Sequence, residues 1–213
     1  MIQEREWYKM IGFYNYTVIL TYMGMTFGLF GIANAFNGNI ITSIIFLMLA
    51  AVCDMFDGKV ARTKKRTKQE QRFGIQIDSL SDVICFGILP ASIGYNLGMN
   101  KWCFVPILIY YVLAALIRLA YYNVLEEESQ ETSNKSLETC TGLPVPPSAL
   151  IFPFVYLIST ILKLKVSIIY AITMLIVATL FIKRFSVKKL NLKGSLIMIV
   201  IGLIVLSLLL IFK

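Results

Sequence analysis

Four aspartates in the first half of the chain have the residue type and spacing of a site for divalent cations: Asp54, Asp57, Asp78 and Asp82. The members of each pair are about one helical turn apart, so on a helix they share a face. Four converging carboxylates cannot all stay ionised unless cations compensate them. Oxygen ligands select hard ions, so we predict two divalent cations, Mg²⁺ or Mn²⁺, with Ca²⁺ as a further option.

The residues around these aspartates keep the same helix faces clear for a ligand. Gly58 and Ala61 fall on the face of the first pair, and Gly74 falls on the face of the second. Without bulky side chains there, the backbone can approach a ligand closely. Arg62 follows, and its planar guanidinium suits a phosphate group. The set favours pyrophosphate chemistry, in which an aspartate takes a proton from an attacking alcohol.

The overall composition is that of a membrane protein. Of the 213 residues, 58% are hydrophobic and 15% are charged, and the mean hydropathy is +0.76, far from the average of soluble domains. We predict an all-α integral membrane protein with a single domain, 1–213. An acid inside a bilayer is costly and therefore marks a functional site. Because the chain has no histidine, histidine nucleophiles, bases and metal ligands are excluded.

Seven apolar stretches approach the length of about 20 residues that a membrane span requires. The second is too short to cross unless its helix continues through the aspartate motif. We expect Pro90 to kink the third. Residues 14–182 hold six core spans, 195–212 is an additional span, and residues 1–12 are typical of an amphipathic surface helix. The predicted spans are 14–36, 40–62, 74–97, 102–123, 145–162, 166–182 and 195–212.

The net charge of +8 comes from Lys and Arg residues in short loops, which is the pattern that orients membrane proteins. We therefore expect no binding to nucleic acid. The basic loops, which contain residues 59–72, Lys135 and 183–193, are predicted to be cytoplasmic, with the aspartates near that surface of a prokaryotic cytoplasmic membrane. The acidic run 126–131 indicates a solvated face.

The combined motif is similar to the signature of the CDP-alcohol phosphatidyltransferases: Asp54-x-x-Asp57-Gly58-x-x-Ala61-Arg62 and then Gly74-x-x-x-Asp78-x-x-x-Asp82. The resemblance implies a six-helix, homodimeric membrane enzyme that displaces CMP from a CDP-linked lipid with an alcohol. It implies that the aspartates bind two divalent metals, that Asp82 also accepts the proton, and that the CDP group borders Gly58, Ala61, Arg62 and Gly74. Eleven residues separate Arg62 from Gly74, three more than is common in that family.

Two further stretches, 78–91 and 141–146, resemble the phosphatidylserine synthase branch of that family. This resemblance implies CDP-diacylglycerol and L-serine as substrates, in contact with membrane lipids. Arg118 and Lys135 are candidate ligands of the serine carboxylate. Three alternatives remain: the same reaction with glycerol phosphate or inositol phosphate, a divalent-cation transporter, and a structural membrane protein with a bound metal.

Overall fold

The computed structural model describes residues 12–61, 63–131, 139–188 and 192–211. Within these ranges the chain forms eight α-helices, with a 3₁₀ turn at Tyr16–Val18 before the first. Two π-helical segments, Val83–Ile88 and Tyr95–Met99, lie on either side of the short fourth helix. Together with the third and fourth helices they form one continuous rod, Lys68–Met99, which is called the third rod below. The helices are α1 Ile19–Phe36, α2 Ile40–Ala61, α3 Lys68–Asp82, α4 Leu89–Gly94, α5 Val105–Glu131, α6 Ser148–Ile161, α7 Val166–Ile182 and α8 Leu192–Ile211.

The helices have the length and composition of an integral membrane protein, as predicted. Four helical rods are long and apolar enough to cross a bilayer, namely Tyr16–Phe36, Ile40–Ala61, Lys68–Met99 and Val105–Glu128. Three further apolar helices are shorter, namely Ser148–Ile161, Val166–Ile182 and Ile197–Ile211.

Two helices extend beyond their predicted boundaries into polar sequence. α3 begins at Lys68, six residues before Gly74, because Thr67 and Glu70 form a reciprocal capping box at its start. α5 continues eight residues past 123 to Glu131. In both places the additional turns are polar, so hydropathy alone does not reveal them.

α1 and α2 form a closely packed hairpin. A Cβ atom on Gly24 would lie 3.3 Å from Cys53 Cβ, and one on Gly28 would lie 2.7 Å from Cys85 Sγ. Small residues are what allow helix backbones to approach closely in a membrane. The turn at 37–39 was predicted, and Gly38 there adopts φ +79°, a value that favours glycine.

Tyrosine hydroxyl groups from α5 and α7 form hydrogen bonds to the third rod where Pro90 interrupts its backbone hydrogen bonding. Pro90 has no N–H to offer the Phe86 carbonyl one turn earlier. Tyr111 Oη donates to Phe86 O at 2.7 Å instead, and Tyr170 Oη donates to Pro90 O at 3.2 Å. The irregularity expected at Pro90 is a π-helical segment, which begins at Val83 directly after Asp82.

A small sheet joins two loops at the end of the bundle that holds the aspartates. Strand β1, Thr139–Thr141, pairs antiparallel with β2, Ser186–Lys188. Gly142 N donates to Phe185 O at 2.7 Å, and the Arg184 guanidinium lies 5.9 Å from the ring of Tyr121 near the end of α5. Described parts of the basic loops therefore share one end of the bundle with the aspartate motif.

Three predicted features lie outside the described residues. They are the surface helix at 1–12, except for its last residue, and the side chains of Arg62 and Lys135.

The close approach of α1 to its neighbours predicts a stability effect at Gly28. A Gly28→Val substitution adds atoms where a Cβ alone would lie 2.7 Å from Cys85 Sγ, and overpacking of this kind costs about 1–3 kcal/mol. We expect a lower Tm of the purified protein in detergent. Ala33→Val is the matched control because Ala33 is exposed on the same helix. Equal Tm values for both variants and the wild type would contradict the packing described here.

Candidate active site

The structure brings the four aspartates together between α2 and α3. One carboxylate oxygen each from Asp54, Asp78 and Asp82 lies within 4.8 Å of the others. The carboxyl group of Asp57 adjoins that of Asp78 at the side of this triad. Asp57 and Asp82 are each only 7% exposed. Helical spacing within each rod, together with the packing of α3 beside α2, thus converts two sequence pairs into one acidic cluster.

The cluster has the chemistry and dimensions of a site for a hard cation. Oxygens that bind one such ion at about 2.0–2.6 Å are at most about 5 Å apart, which accommodates the 4.8 Å limit of the triad. The triad offers only carboxylate oxygens, and these suit Mg²⁺, Mn²⁺ and Ca²⁺ rather than softer metals. The cluster can therefore hold a divalent metal ion.

Helix α1 supplies a hydrogen bond that orients one of the acids. Thr21 Oγ1 donates to Asp57 Oδ2 at 3.1 Å in a buried position. The Ser81 hydroxyl donates in turn to the Thr21 carbonyl at 3.4 Å. No site residue was predicted in the first span. A single threonine in an apolar helix carries no spacing signal, and its partner Asp57 is 36 residues away in the sequence.

A cavity of about 160 Å³ opens beside Asp57 and Asp78, with room for several water molecules. Gly58, Ala61 and Gly74 all contribute to its wall, and a Cβ atom on Gly58 would meet nothing within 4 Å. Asp57 and Asp78 therefore border a space that a ligand can enter. The other lining residues are Thr17, Val18, Thr21, Arg66, Ile75, Ser79, Tyr122, Asn123 and Glu126.

Helix α5 contributes part of the cavity wall, and the prediction for Glu126 was wrong. Glu126 was expected on a solvated acidic face, but it lines the cavity, because α5 continues past the predicted end of its span. Asn123 beside it is buried and accepts a 2.6 Å hydrogen bond from Ser79 Oγ. An asparagine followed by glutamates at the end of an apolar run was the one signal that could have indicated this wall.

Arg118 does not line the cavity but lies behind Tyr122, which does. Its side chain is buried, its Nε donates to Leu143 O at 3.3 Å, and its guanidinium lies 5.2 Å from the centre of the Tyr122 ring. Tyr122 lines the cavity but Arg118 does not. The serine-binding roles given to Arg118 and Lys135 therefore remain predictions, as does the phosphate-binding role of Arg62.

The sequence model of the family described as CDP-alcohol phosphatidyltransferase matches residues 14–206. This match covers most of the chain, including α2, α3 and the walls of the cavity. The chain belongs to the CDP-alcohol phosphatidyltransferase family.

Several relatives have names that refer to serine, either as the acceptor or within the product. The chain is similar to the CDP-diacylglycerol–serine O-phosphatidyltransferase of Saccharomyces cerevisiae, with 36% identity over 52% of this chain and 40% of that protein. It is 30% identical to the archaetidylserine synthase of Methanothermobacter thermautotrophicus, over 76% of this chain and 66% of the relative. The Helicobacter pylori CDP-diacylglycerol–serine O-phosphatidyltransferase is 27% identical, over 84% and 76% of the two chains. The chain thus spans less than half of the yeast relative.

The hydrogen bond from α1 predicts that Thr21 contributes to metal affinity. A Thr21→Val substitution removes the donor to Asp57, and loss of a group that orients a metal ligand typically lowers affinity about 10- to 100-fold. We expect that loss in a calorimetric titration with Mn²⁺. Thr26→Val is the control, because the Thr26 hydroxyl bonds only to the Tyr22 carbonyl of its own helix among the described residues. Equal Mn²⁺ affinities in the two variants would argue against the role of Thr21.

Proposed function

We propose that this protein transfers the phosphatidyl group of CDP-diacylglycerol to L-serine and releases phosphatidylserine and CMP. The observation that carries the proposal is the convergence of Asp54, Asp78 and Asp82 beside a cavity walled by Gly58, Ala61 and Gly74. These six residues are among the eight fixed positions of the family signature. The choice of serine is supported by the names of the yeast, archaeal and bacterial relatives.

The four aspartates are proposed to hold two divalent cations, either Mg²⁺ or Mn²⁺, with Ca²⁺ as a further option. When bound, such ions neutralise the carboxylates and polarise a phosphoryl group for displacement. Thr21 keeps Asp57 in place for this role through its 3.1 Å hydrogen bond.

Asp82 is proposed as the base that takes the proton from the serine hydroxyl. The hydroxyl oxygen forms a bond to the lipid-linked phosphorus, the bond from that phosphorus to the CMP oxygen breaks, and CMP leaves with the electron pair. Asp82 is 7% exposed at the inner end of the cluster, where water has little access to compete with the alcohol. Proton transfer of this kind contributes about 10²- to 10⁴-fold to a rate.

The cavity wall is proposed to hold the substrates. Gly58, Ala61 and Gly74 let the CDP group lie close to the backbone, and Arg62 binds a phosphate. Arg118 and Lys135 are proposed for the serine carboxylate. In support of the first of these, Arg118 stacks on Tyr122, so it adjoins the wall of the cavity.

We further propose a homodimer in the cytoplasmic membrane of a prokaryote, with the site facing the cytoplasm. Each chain would be a single membrane domain, 1–213, with a six-span core at 14–182, an additional span at 195–212 and a surface helix at 1–12. The location of the Lys183–Arg184 loop at the aspartate end of the bundle supports the orientation, because basic loops remain inside.

A cysteine at the opposite end of the third rod tests this orientation. Cys103 is free and exposed and follows Met99, the last residue of that rod. In intact cells, a membrane-impermeant maleimide should label the wild type at Cys103, and Cys103→Ser should abolish that labelling. A Lys65→Cys variant in the Cys103→Ser background should be labelled only after the cells are opened. Labelling of Lys65→Cys in intact cells would reverse the proposed orientation.

The proposed chemistry predicts a specific defect in Asp82→Asn. The substitution keeps the size of the side chain but removes the base, so CMP release from CDP-diacylglycerol with serine should fall by about 10²- to 10⁴-fold. The variant should still fold, with a Tm close to that of the wild type, and should still bind CDP. Glu127→Gln is the control, because it also removes one carboxylate but lies outside the cavity lining and accepts a hydrogen bond from Gln76.

The same assay separates the proposal from its alternatives. CMP release that does not require serine but requires glycerol phosphate or inositol phosphate would show that this alcohol, and not serine, is the acceptor. Metal flux into liposomes with no CMP release would favour a transporter. Full activity of Asp82→Asn would refute the proposed base.

A further inference from the structure

Among the described residues that line the cavity, Arg66 alone has a cationic side chain. Its side chain is partly buried, and its Nη1 lies 3.0 Å from where a Cβ atom on Gly74 would be. Gly74 therefore leaves room that the guanidinium occupies. Within the described part of the chain, no hydrogen bond or ion pair engages the Arg66 guanidinium, so its donors are available to a ligand.

The loop that carries Arg66 is held in place by a network centred on Glu70. Glu70 Oε1 accepts from Lys64 Nζ at 3.2 Å and from Asn15 Nδ2 at 3.1 Å. Glu70 Oε2 accepts from Thr67 N at 2.8 Å. The network holds Lys64 and Thr67, on either side of Arg66, and connects them to Asn15, which caps the 3₁₀ turn before α1. Gln71 Nε2 also donates to the Arg66 carbonyl at 3.2 Å. These hydrogen bonds hold the backbone of Arg66 in place.

The charges of the cavity explain why a cation is needed there. Its described lining contains three carboxylates, those of Asp57, Asp78 and Glu126, and one guanidinium. A diphosphate that enters such a space is repelled by the acids unless cations face it. Divalent ions bound to the aspartates can neutralise one side of the diphosphate. Arg66 lies beside Gly74 and can neutralise the other side. A guanidinium presents a planar fork of donors that matches phosphate oxygens.

We propose that Arg66 binds the diphosphate of the nucleotide-linked lipid. The proposal deepens the function proposed above, because it rests on the site accepting a CDP-linked substrate. It assigns a role to the loop between α2 and α3, because that loop places the Arg66 guanidinium against Gly74. Arg66 is not one of the residues of the family signature.

A diphosphate fits this position better than the carboxylate of serine does. Arg66 covers Gly74, the signature residue assigned to the CDP border. The candidate serine ligand Arg118 lies instead behind Tyr122 on α5. Arg66 thus lines the cavity itself, whereas Arg118 lies outside it, behind Tyr122.

CDP binding tests the proposal without requiring turnover. With Mn²⁺ present, the Kd of CDP should rise about tenfold or more in Arg66→Ala, since a lost charge-assisted bond is worth at least that factor. Arg66→Lys should give an intermediate value, because an ammonium keeps the charge but not the fork. Lys65→Ala is the matched control, because Lys65 is the exposed neighbour, and it should bind CDP like the wild type. Tm values verify that each variant folds.

Steady-state kinetics then identify the ligand. We expect Arg66→Ala to raise the KM for CDP-diacylglycerol about tenfold or more and to leave the KM for serine within about twofold. An unchanged Kd for CDP in Arg66→Ala would overturn the proposal, as would a rise confined to the KM for serine. A wild type that binds no CDP would overturn it too.

The two proposals fail in different ways. Arg66-dependent CDP binding together with CMP release that ignores serine would reject only the acceptor. Serine-dependent CMP release with CDP binding indifferent to Arg66 would reject only this inference.

Discussion

The architecture of the aspartate site is governed by the free-energy cost of holding four carboxylates inside a bundle of apolar helices. One charged side chain at the centre of a span costs about 2.5–3.5 kcal/mol even by insertion measurements. Here Asp57 and Asp82 are almost fully buried, and three of the four acids lie within 4.8 Å of one another. Such a cluster is compatible with charge only where cations compensate it. The same cations would face a phosphate group bound in the adjoining cavity.

The surrounding helices meet this constraint with small residues and hydroxyl groups. Gly24 and Gly28 let α1 approach α2 and the third rod closely, which places Thr21 within reach of Asp57. On the far side, the third rod changes to a π-helical segment directly after Asp82, a device that is frequent at functional sites. Tyr111 and Tyr170 satisfy the carbonyls around this irregular turn. Thr21 thus orients Asp57 directly, whereas the two tyrosines support the part of the third rod that follows Asp82.

The parts of the site that the sequence predicts are those governed by helix periodicity. The four aspartates are the only ones in the chain, and their spacing places them on shared faces with Gly58, Ala61 and Gly74. Thr21 and Arg66 could not be found in this way, because their roles arise from contacts between separate helices and loops. The start of α3 was visible in principle as the pair Thr67 and Glu70. Hydropathy does not detect a polar first turn, and for the same reason the end of α5 with Glu126 was misplaced.

Two divalent ions are proposed to bind among the carboxylates of α2 and α3, and anomalous diffraction from crystals grown with Mn²⁺ and CDP would locate them. We expect two anomalous peaks between Asp54, Asp57, Asp78 and Asp82, with phosphate oxygens of CDP on the side of the cavity. Density for CDP with no Mn²⁺ peak among these four side chains, or peaks confined to other surfaces of the protein, would contradict the proposal.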